Sequence, residues 1–159
     1  MKIYFLSIAT LLLASFVSFN QLTLNIATKT TNPGGTVCVD VTSQSFQQIM
    51  SMQYTVKWNP KVLQFTEVKG FTLPGMTPDS FGKRQVTEGI LPVSWYDQNL
   101  RSVSLPDGSS LYQICYNVIG TSGEKSFIQF TEVPTTIEIS DVQGNILELN
   151  GQAGMVKIR

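Results

Sequence analysis

The sequence contains no histidine, only two cysteines and few charged residues. Without histidine the chain cannot form a Ser-His-Asp or Cys-His catalytic site, a histidine general base or a histidine-ligated zinc site. Charged residues make up 14% of the 159 residues, and the 11 basic residues balance the 11 acidic ones. A neutral chain lacks the basic surface that nucleic-acid binding requires. Because 42% of the residues are hydrophobic, the composition is also not that of a disordered protein.

An apolar run from Ile3 to about Val17 follows Met1 and Lys2 and contains no acidic residue. This pattern is typical of a secretory signal peptide. The run is shorter than the roughly 20 apolar residues of a membrane-spanning helix, so an uncleaved anchor is the less favoured alternative. We therefore expect a signal peptide over residues 1–20 and one domain over residues 21–159. The domain is expected to be secreted, extracellular or at the cell surface, with no membrane span after cleavage.

From Leu22 onward, apolar and polar residues alternate in short runs that are separated by turn residues. The clearest run has apolar side chains at Met52, Tyr54, Val56 and Trp58. A period of two indicates strands with one face on a core and the other in water. Turn signals such as Asn32-Pro33-Gly34-Gly35 separate the runs. The pattern predicts about nine short strands in an all-β sandwich and no amphipathic helix.

The widest gap in the strand pattern runs from Gly70 to Thr87. Its apolar residues are Phe71, Leu73, Met76 and Phe81. We expect a loop that packs against the core, and a mobile binding loop is the alternative.

Cys38 and Cys115 are the two cysteines, and each lies in a predicted strand on the face opposite the core residues. Export from the cell permits a disulfide between them. Two free thiols or an intermolecular disulfide are the alternatives. Two cysteines without histidine give too few ligands for a metal site, so neither a metal nor a cofactor is expected.

The segment from Ile49 to Phe65 resembles the third strand and following turn of cohesin domains. It reads Ile-Met-Ser-Met-Gln-Tyr-Thr-Val-Lys-Trp-Asn-Pro-Lys-Val-Leu-Gln-Phe. Other segments resemble cohesin strands and turns in the same order, namely Pro33–Val37, Val93–Asp97, Ile114–Val118 and Asp141–Asn145. The resemblance covers nearly all of residues 22–158. It implies a nine-stranded jelly-roll β-sandwich in which the second and seventh strands are neighbours, which would place Cys38 beside Cys115.

Cohesins are non-catalytic receptors that bind dockerin modules and so hold polysaccharide-degrading enzymes on scaffolds or cell surfaces. The resemblance therefore implies a secreted module for extracellular protein–protein assembly. Carried over by position, the partner-binding face comprises Ser51, Gln53, Thr55, Lys57, Ser94 and Tyr96. An ordinary solvated sheet face is the alternative interpretation. Gln53 departs from the pattern, because dockerin-binding cohesins often have an acidic residue there and its charge-assisted contact would be missing.

Two other functions remain open. The same superfamily includes carbohydrate-binding modules, which stack sugar rings on exposed aromatic side chains. Trp58 and Trp95 are assigned to the core by their register, so Tyr96 and Tyr112 are the outward candidates for a polysaccharide partner. A self-assembling or adhesive structural subunit is the other alternative, because low net charge favours association.

A glycosidase would need two carboxylates about 5–9 Å apart across a cleft. The candidates are Asp97, Asp107 and Asp141, and each lies in a turn-like setting. Aspartate commonly binds its own backbone in such turns. We therefore expect turn caps rather than catalytic acids. Asp107 and Asp141 could also bind calcium, but neither lies in a ligand-dense calcium loop.

Overall fold

The computed structural model describes residues 21–159, so the predicted signal peptide lies outside the described residues. Within them the chain forms twelve strands and two short 3-10 helices, at Pro78–Ser80 and Lys83–Glu88. The strands are β1 (Thr23–Ile26), β2 (Lys29–Thr31), β3 (Thr36–Gln44), β4 (Ile49–Lys57), β5 (Leu63–Lys69), β6 (Ile90–Tyr96), β7 (Ser110–Val118), β8 (Lys125–Thr131), β9 (Glu138–Asp141), β10 (Ile146–Leu147), β11 (Asn150–Gln152) and β12 (Gly154–Ile158).

The strands form two sheets around one hydrophobic core, which confirms the predicted β-sandwich. The first sheet has the order β11-β1-β3-β7-β5. In the second sheet β4 is central, because β6 pairs along one of its edges while β9 and β8 pair with successive parts of the other edge. That sheet continues from β9 to β10 and from β8 through β12 to β2.

The strand count exceeds the predicted nine by three short strands. The first strand divides into β1 and β2, which pair in different sheets. The other two additions, β10 and β11, are two and three residues long. The strands β8 and β9 both pair with β4 and are separated by the connection over residues 132–137.

The alternation of apolar residues corresponds to the observed burial. Met52, Tyr54, Val56 and Trp58 all point into the core, as predicted. The indole N–H groups of Trp58 and Trp95 donate to the backbone oxygens of Leu63 and Pro74, at 2.9 and 2.8 Å. Both tryptophans are therefore core residues with a satisfied donor.

The Gly70–Thr87 loop packs against the sandwich. Leu73, Met76 and Phe81 are buried, and the Phe81 ring contacts the Tyr112 ring with centroids 5.0 Å apart. This confirms the packed loop rather than the mobile one. The structure also joins Cys38 to Cys115, which face each other in register across β3 and β7. Among residues 21–159, no helix is both long and apolar enough to cross a membrane.

Candidate binding face

The outer face of the second sheet carries a row of four side chains that crosses four neighbouring strands. Tyr96 of β6 pairs with Ser51 of β4, Ser51 pairs with Ser140 of β9, and Ser140 pairs with Ile146 of β10. Directly paired residues in an antiparallel sheet have their side chains on the same face. We call this row, with its residues Tyr96, Ser51, Ser140 and Ile146, the Tyr96 strip.

The Tyr96 strip has small serine side chains in its middle and large, exposed apolar side chains at both ends. The hydroxyl groups of Ser51 and Ser140 are hydrogen-bonded to each other, 2.7 Å apart. Tyr96 is 60% exposed at one end and Ile146 is 63% exposed at the other. Three strand spacings separate the ends by about 14 Å. An α-helix with its side chains is about 10–12 Å across, so the strip has the width to receive one.

The neighbouring row of side chains on this face is polar throughout, and one of its ends is acidic. Gln53 pairs with Ser94 of β6 on one side and with Glu138 of β9 on the other. Ser94 and Glu138 are exposed, and Gln53 is half-buried between them. A carboxylate therefore lies in the row of Gln53 although position 53 itself is uncharged. A basic side chain of a partner would meet Glu138 here.

Thr55, which the sequence analysis assigned to the partner-binding face, is not accessible to a partner. Its side chain points outward like that of Gln53, but it is completely buried. The backbone N–H of Thr135 donates to the Thr55 hydroxyl oxygen at 3.2 Å, because the connection between β8 and β9 crosses the sheet at this point. Thr55 therefore holds that connection in place and is not available to a partner.

Because the β8–β9 connection covers Thr55, the other five predicted residues fall into two separate groups. Ser51, Gln53, Ser94 and Tyr96 lie together on one side of it. Lys57 is exposed on the other side, where it pairs with Gln129 of β8. The structure thus brings four of the six residues together and leaves Lys57 apart from them.

Three residues of this face escaped the sequence reasoning, namely Glu138, Ser140 and Ile146. The alternation of Ile137 and Ile139 already indicated that Glu138 and Ser140 face outward. Their position beside β4 was not readable from that pattern. For Ile146, in a two-residue strand, no periodic signal exists.

The assignment of Tyr112 as an outward aromatic is also wrong. Tyr112 shares the register of Ile114 and Tyr116 and lies opposite Val41, so its side chain enters the core. Its hydroxyl group is 2.9 Å from the Tyr54 hydroxyl. Of the two proposed sugar-stacking tyrosines only Tyr96 is exposed, so residues 21–159 form no tyrosine platform on this face.

The three aspartates act as acceptors within turns and loops. Backbone N–H groups of Arg101 and Asn99 donate to Asp97, at 2.9 and 3.0 Å, and hold its pKa below the usual range. Asp107 accepts the backbone N–H of Ser45 at 2.7 Å.

Asp141 caps the turn between β9 and β10. The side-chain amide of Asn145, followed by the backbone N–H groups of Asn145 and Gln143, lowers the pKa of Asp141. These hydrogen bonds give the Asp141 carboxylate a structural role in the turn. Within residues 21–159, no three Cys, Asp or Glu side chains converge in a way that could hold a metal ion.

Comparison with known sequences decides the family. Residues 22–154 match the sequence profile of the cohesin domain. The chain belongs to the cohesin domain family. This is a family of non-catalytic binding modules. A comparison with curated proteins gives no significant match.

Solved cohesin structures share the fold of this cohesin domain. The cohesin of a type I cohesin–dockerin complex from Clostridium thermocellum is 17% identical, with a TM-score of 0.73, over 88% of this chain and 100% of its own. The sixth cohesin of scaffoldin B from Acetivibrio cellulolyticus, in complex with a dockerin, is 20% identical with a TM-score of 0.70, over 87% and 99%. A non-cellulosomal cohesin from the archaeon Archaeoglobus fulgidus is 20% identical with a TM-score of 0.69, over 87% and 91%.

Proposed function

We propose that this cohesin domain is a secreted, non-catalytic module that binds an extracellular partner protein of the dockerin type. The partner is proposed to dock on the Tyr96 strip, in an assembly linked to polysaccharide degradation or to the cell surface. Support for a dockerin partner comes from the family and from the cohesins of similar fold, several of which are in dockerin complexes.

The observation that carries the proposal is the shape of the Tyr96 strip. Tyr96 and Ile146 provide exposed apolar contacts at its two ends, and small serine side chains between them let a partner backbone approach closely. Tyrosine is among the residues that contribute most to protein interfaces. Glu138 in the adjacent row adds a negative charge. The face therefore suits a partner helix with small residues in its centre and a basic residue towards Glu138.

Secretion is supported by the apolar leader over residues 3–17 and by the Cys38–Cys115 disulfide, a bond typical of exported proteins. The lack of catalysis is supported by the three aspartates, which bind backbone N–H groups.

Isothermal titration of the purified protein with dockerin modules encoded by the same organism tests the proposal. We expect saturable one-to-one binding by at least one dockerin. The Tyr96→Ala and Gln53→Ala substitutions should together weaken that binding at least about tenfold, which corresponds to about 1.4 kcal/mol. The melting temperature should stay nearly unchanged because both side chains face outward.

Ile119→Ala is the matched control, because Ile119 is 52% exposed but lies outside the second sheet. It should leave binding unchanged. If no dockerin binds, the dockerin assignment is refuted. If a dockerin binds and the double substitution has no more effect than the control, the assignment to the Tyr96 strip is refuted.

A further inference from the structure

A cleft of about 770 Å³ lies where four parts of the chain meet, beside the Ile146 end of the Tyr96 strip. These parts are the two residues before β1, the connection between β3 and β4, the connection between β6 and β7, and the β9–β10 hairpin with the residue that follows it. The cleft is within the usual size range of small-molecule sites. Four of its eight polar lining residues are glutamines, namely Gln21, Gln47, Gln48 and Gln143.

The rim of the cleft is held in a strained conformation. Ser45 and Gln48 line the cleft and have φ values of +56° and +53°, in the left-handed region that residues with a Cβ rarely adopt. The Asp107 carboxylate accepts the backbone N–H of Ser45 at 2.7 Å, and the Ser104 hydroxyl accepts that of Gln48 at 2.8 Å. Such strain persists only where surrounding contacts enforce it, and it is concentrated at functional sites.

The chemistry of the lining favours hydroxyl groups over ions. A carboxamide offers both a donor and an acceptor, which matches a sugar hydroxyl. Gln48 and Gln143 use their backbone N–H groups in the bonds to Ser104 and Asp141, so those bonds leave their carboxamides free for a ligand. Ile146 and Leu147 add an apolar wall for the C–H groups of a sugar ring.

The charge of the cleft excludes anionic ligands. Asp107, Asp141 and Glu148 line it, and among its described lining residues there is no lysine or arginine. A phosphate, sulfate or uronate would therefore meet carboxylates without a compensating cation. Two of these carboxylates also accept backbone N–H groups, which leaves a metal ion fewer free ligand oxygens.

We propose that this cleft is a second binding site, which takes a short neutral oligosaccharide between the glutamine side chains and Ile146. The cleft shares Ile146 with one end of the Tyr96 strip, but Tyr96 and Gln53 do not line it, so substitutions at those two residues test the dockerin proposal separately. It differs from the tyrosine-based sugar site considered from the sequence, because it uses carboxamides rather than stacked aromatic rings.

The test is an NMR titration of the ¹⁵N-labelled protein with maltotetraose, cellotetraose and tetra-N-acetylchitotetraose as neutral probes. Tetragalacturonate is the anionic probe. We expect at least one neutral probe to cause saturable shifts of the side-chain amide signals of Gln47, Gln48 and Gln143. Tetragalacturonate should cause none of these shifts.

Gln47→Ala and Gln143→Ala should each weaken the binding at least about threefold, whereas Gln64→Ala, an exposed glutamine on β5, should not. The backbone spectra of the variants show directly whether the fold is kept. The proposal is overturned if all three neutral probes cause no saturable shift at 10 mM, roughly tenfold above a 1 mM dissociation constant. Shifts confined to Tyr96, Ser51 and Ser140, which do not line the cleft, or tighter binding of the anion, also overturn it.

Discussion

Three tyrosine hydroxyl groups are buried between the sheets, and they differ in their partners. The Tyr54 and Tyr112 hydroxyls are 2.9 Å apart and form one hydrogen bond. The Tyr116 hydroxyl has no hydrogen-bond partner among the described residues, although the side chain is completely buried. Burial raises the pKa of all three side chains above that of a free tyrosine, so each is neutral near pH 7. Replacing tyrosine by phenylalanine removes only the hydroxyl group and thus tests each of them separately.

The expected change in the free energy of unfolding depends on which hydroxyl group each substitution leaves buried without a partner. Tyr54→Phe leaves the Tyr112 hydroxyl buried without a partner, and Tyr112→Phe leaves that of Tyr54. Each should lower the free energy of unfolding by about 1–3 kcal/mol, the cost of an unsatisfied buried polar group. The double variant leaves neither hydroxyl behind and should be closer to the wild type than either single variant. Tyr116→Phe removes an unpartnered group and should be neutral or stabilising by up to about 1 kcal/mol.

Urea unfolding followed by tryptophan fluorescence measures these differences, because Trp58 packs against Tyr116 with ring centroids 5.2 Å apart. The coupling between Tyr54 and Tyr112 is the double-variant effect minus the sum of the single effects. If the two single effects add up to the effect of the double variant, the hydrogen bond is refuted. A loss of stability in Tyr116→Phe as large as in Tyr54→Phe would show that the Tyr116 hydroxyl has a partner such as a buried water.

Three further predictions concern the fold. Replacing Cys38 and Cys115 by serine opens a loop with a sequence separation of 77 residues, and the chain-entropy relation gives a loss of about 4.5 kcal/mol in the free energy of unfolding. Urea unfolding in the absence of reductant measures this loss. A loss below about 1 kcal/mol would contradict the prediction. Gly89→Ala should lower the free energy of unfolding by at least about 2 kcal/mol, because φ is +77° and the new Cβ would overlap the backbone oxygen of Trp58. Gly108→Ala is the control: φ is +83°, no atom lies within 4 Å of the new Cβ, and the loss in the same assay should be only about 1 kcal/mol. The folded-state pKa values of Asp97 and Asp141 are lowered, so their contribution to stability is present above the unfolded pKa of about 3.9 and is lost as the pH falls through the folded values. Since the sequence has no histidine, the melting temperature should change little from pH 8 to 5 and drop below about pH 4; a clear decrease already between pH 7 and 5.5 would be inconsistent with this account.

The β-sandwich was predictable from the sequence because burial follows a period of two. In β4 the alternation alone placed Met52, Tyr54 and Val56 in the core, and the structure agrees. The same rule was misapplied at Tyr112, which has the register of Ile114 and therefore faces inward. The division of the first strand into β1 and β2 had no such signal, because it depends on which sheet each half pairs with.

The binding face was only partly predictable. The outward direction of Ser51 and Gln53 follows from alternation within β4. Their neighbours across the sheet do not, because pairing of β4 with β9 joins residues that are about 90 positions apart in the chain, as in the Ser51–Ser140 hydrogen bond. The burial of Thr55 depends on the path of the β8–β9 connection, and no local pattern specifies that path.

The register of β4 and β6 also determines which substitutions can test binding without disturbing the fold. Tyr96 and Ser94 alternate with Trp95 and Val93, which are buried, so the outward side chains can be truncated while the core residues stay in place. Thr55 is the exception, because it points outward yet holds the β8–β9 connection through the backbone N–H of Thr135. A Thr55→Val substitution would leave that N–H without its acceptor and should move this connection beside the Gln53 row. Any loss of binding in that variant would combine a structural change with a contact change, whereas a loss in Tyr96→Ala at an unchanged melting temperature isolates the contact.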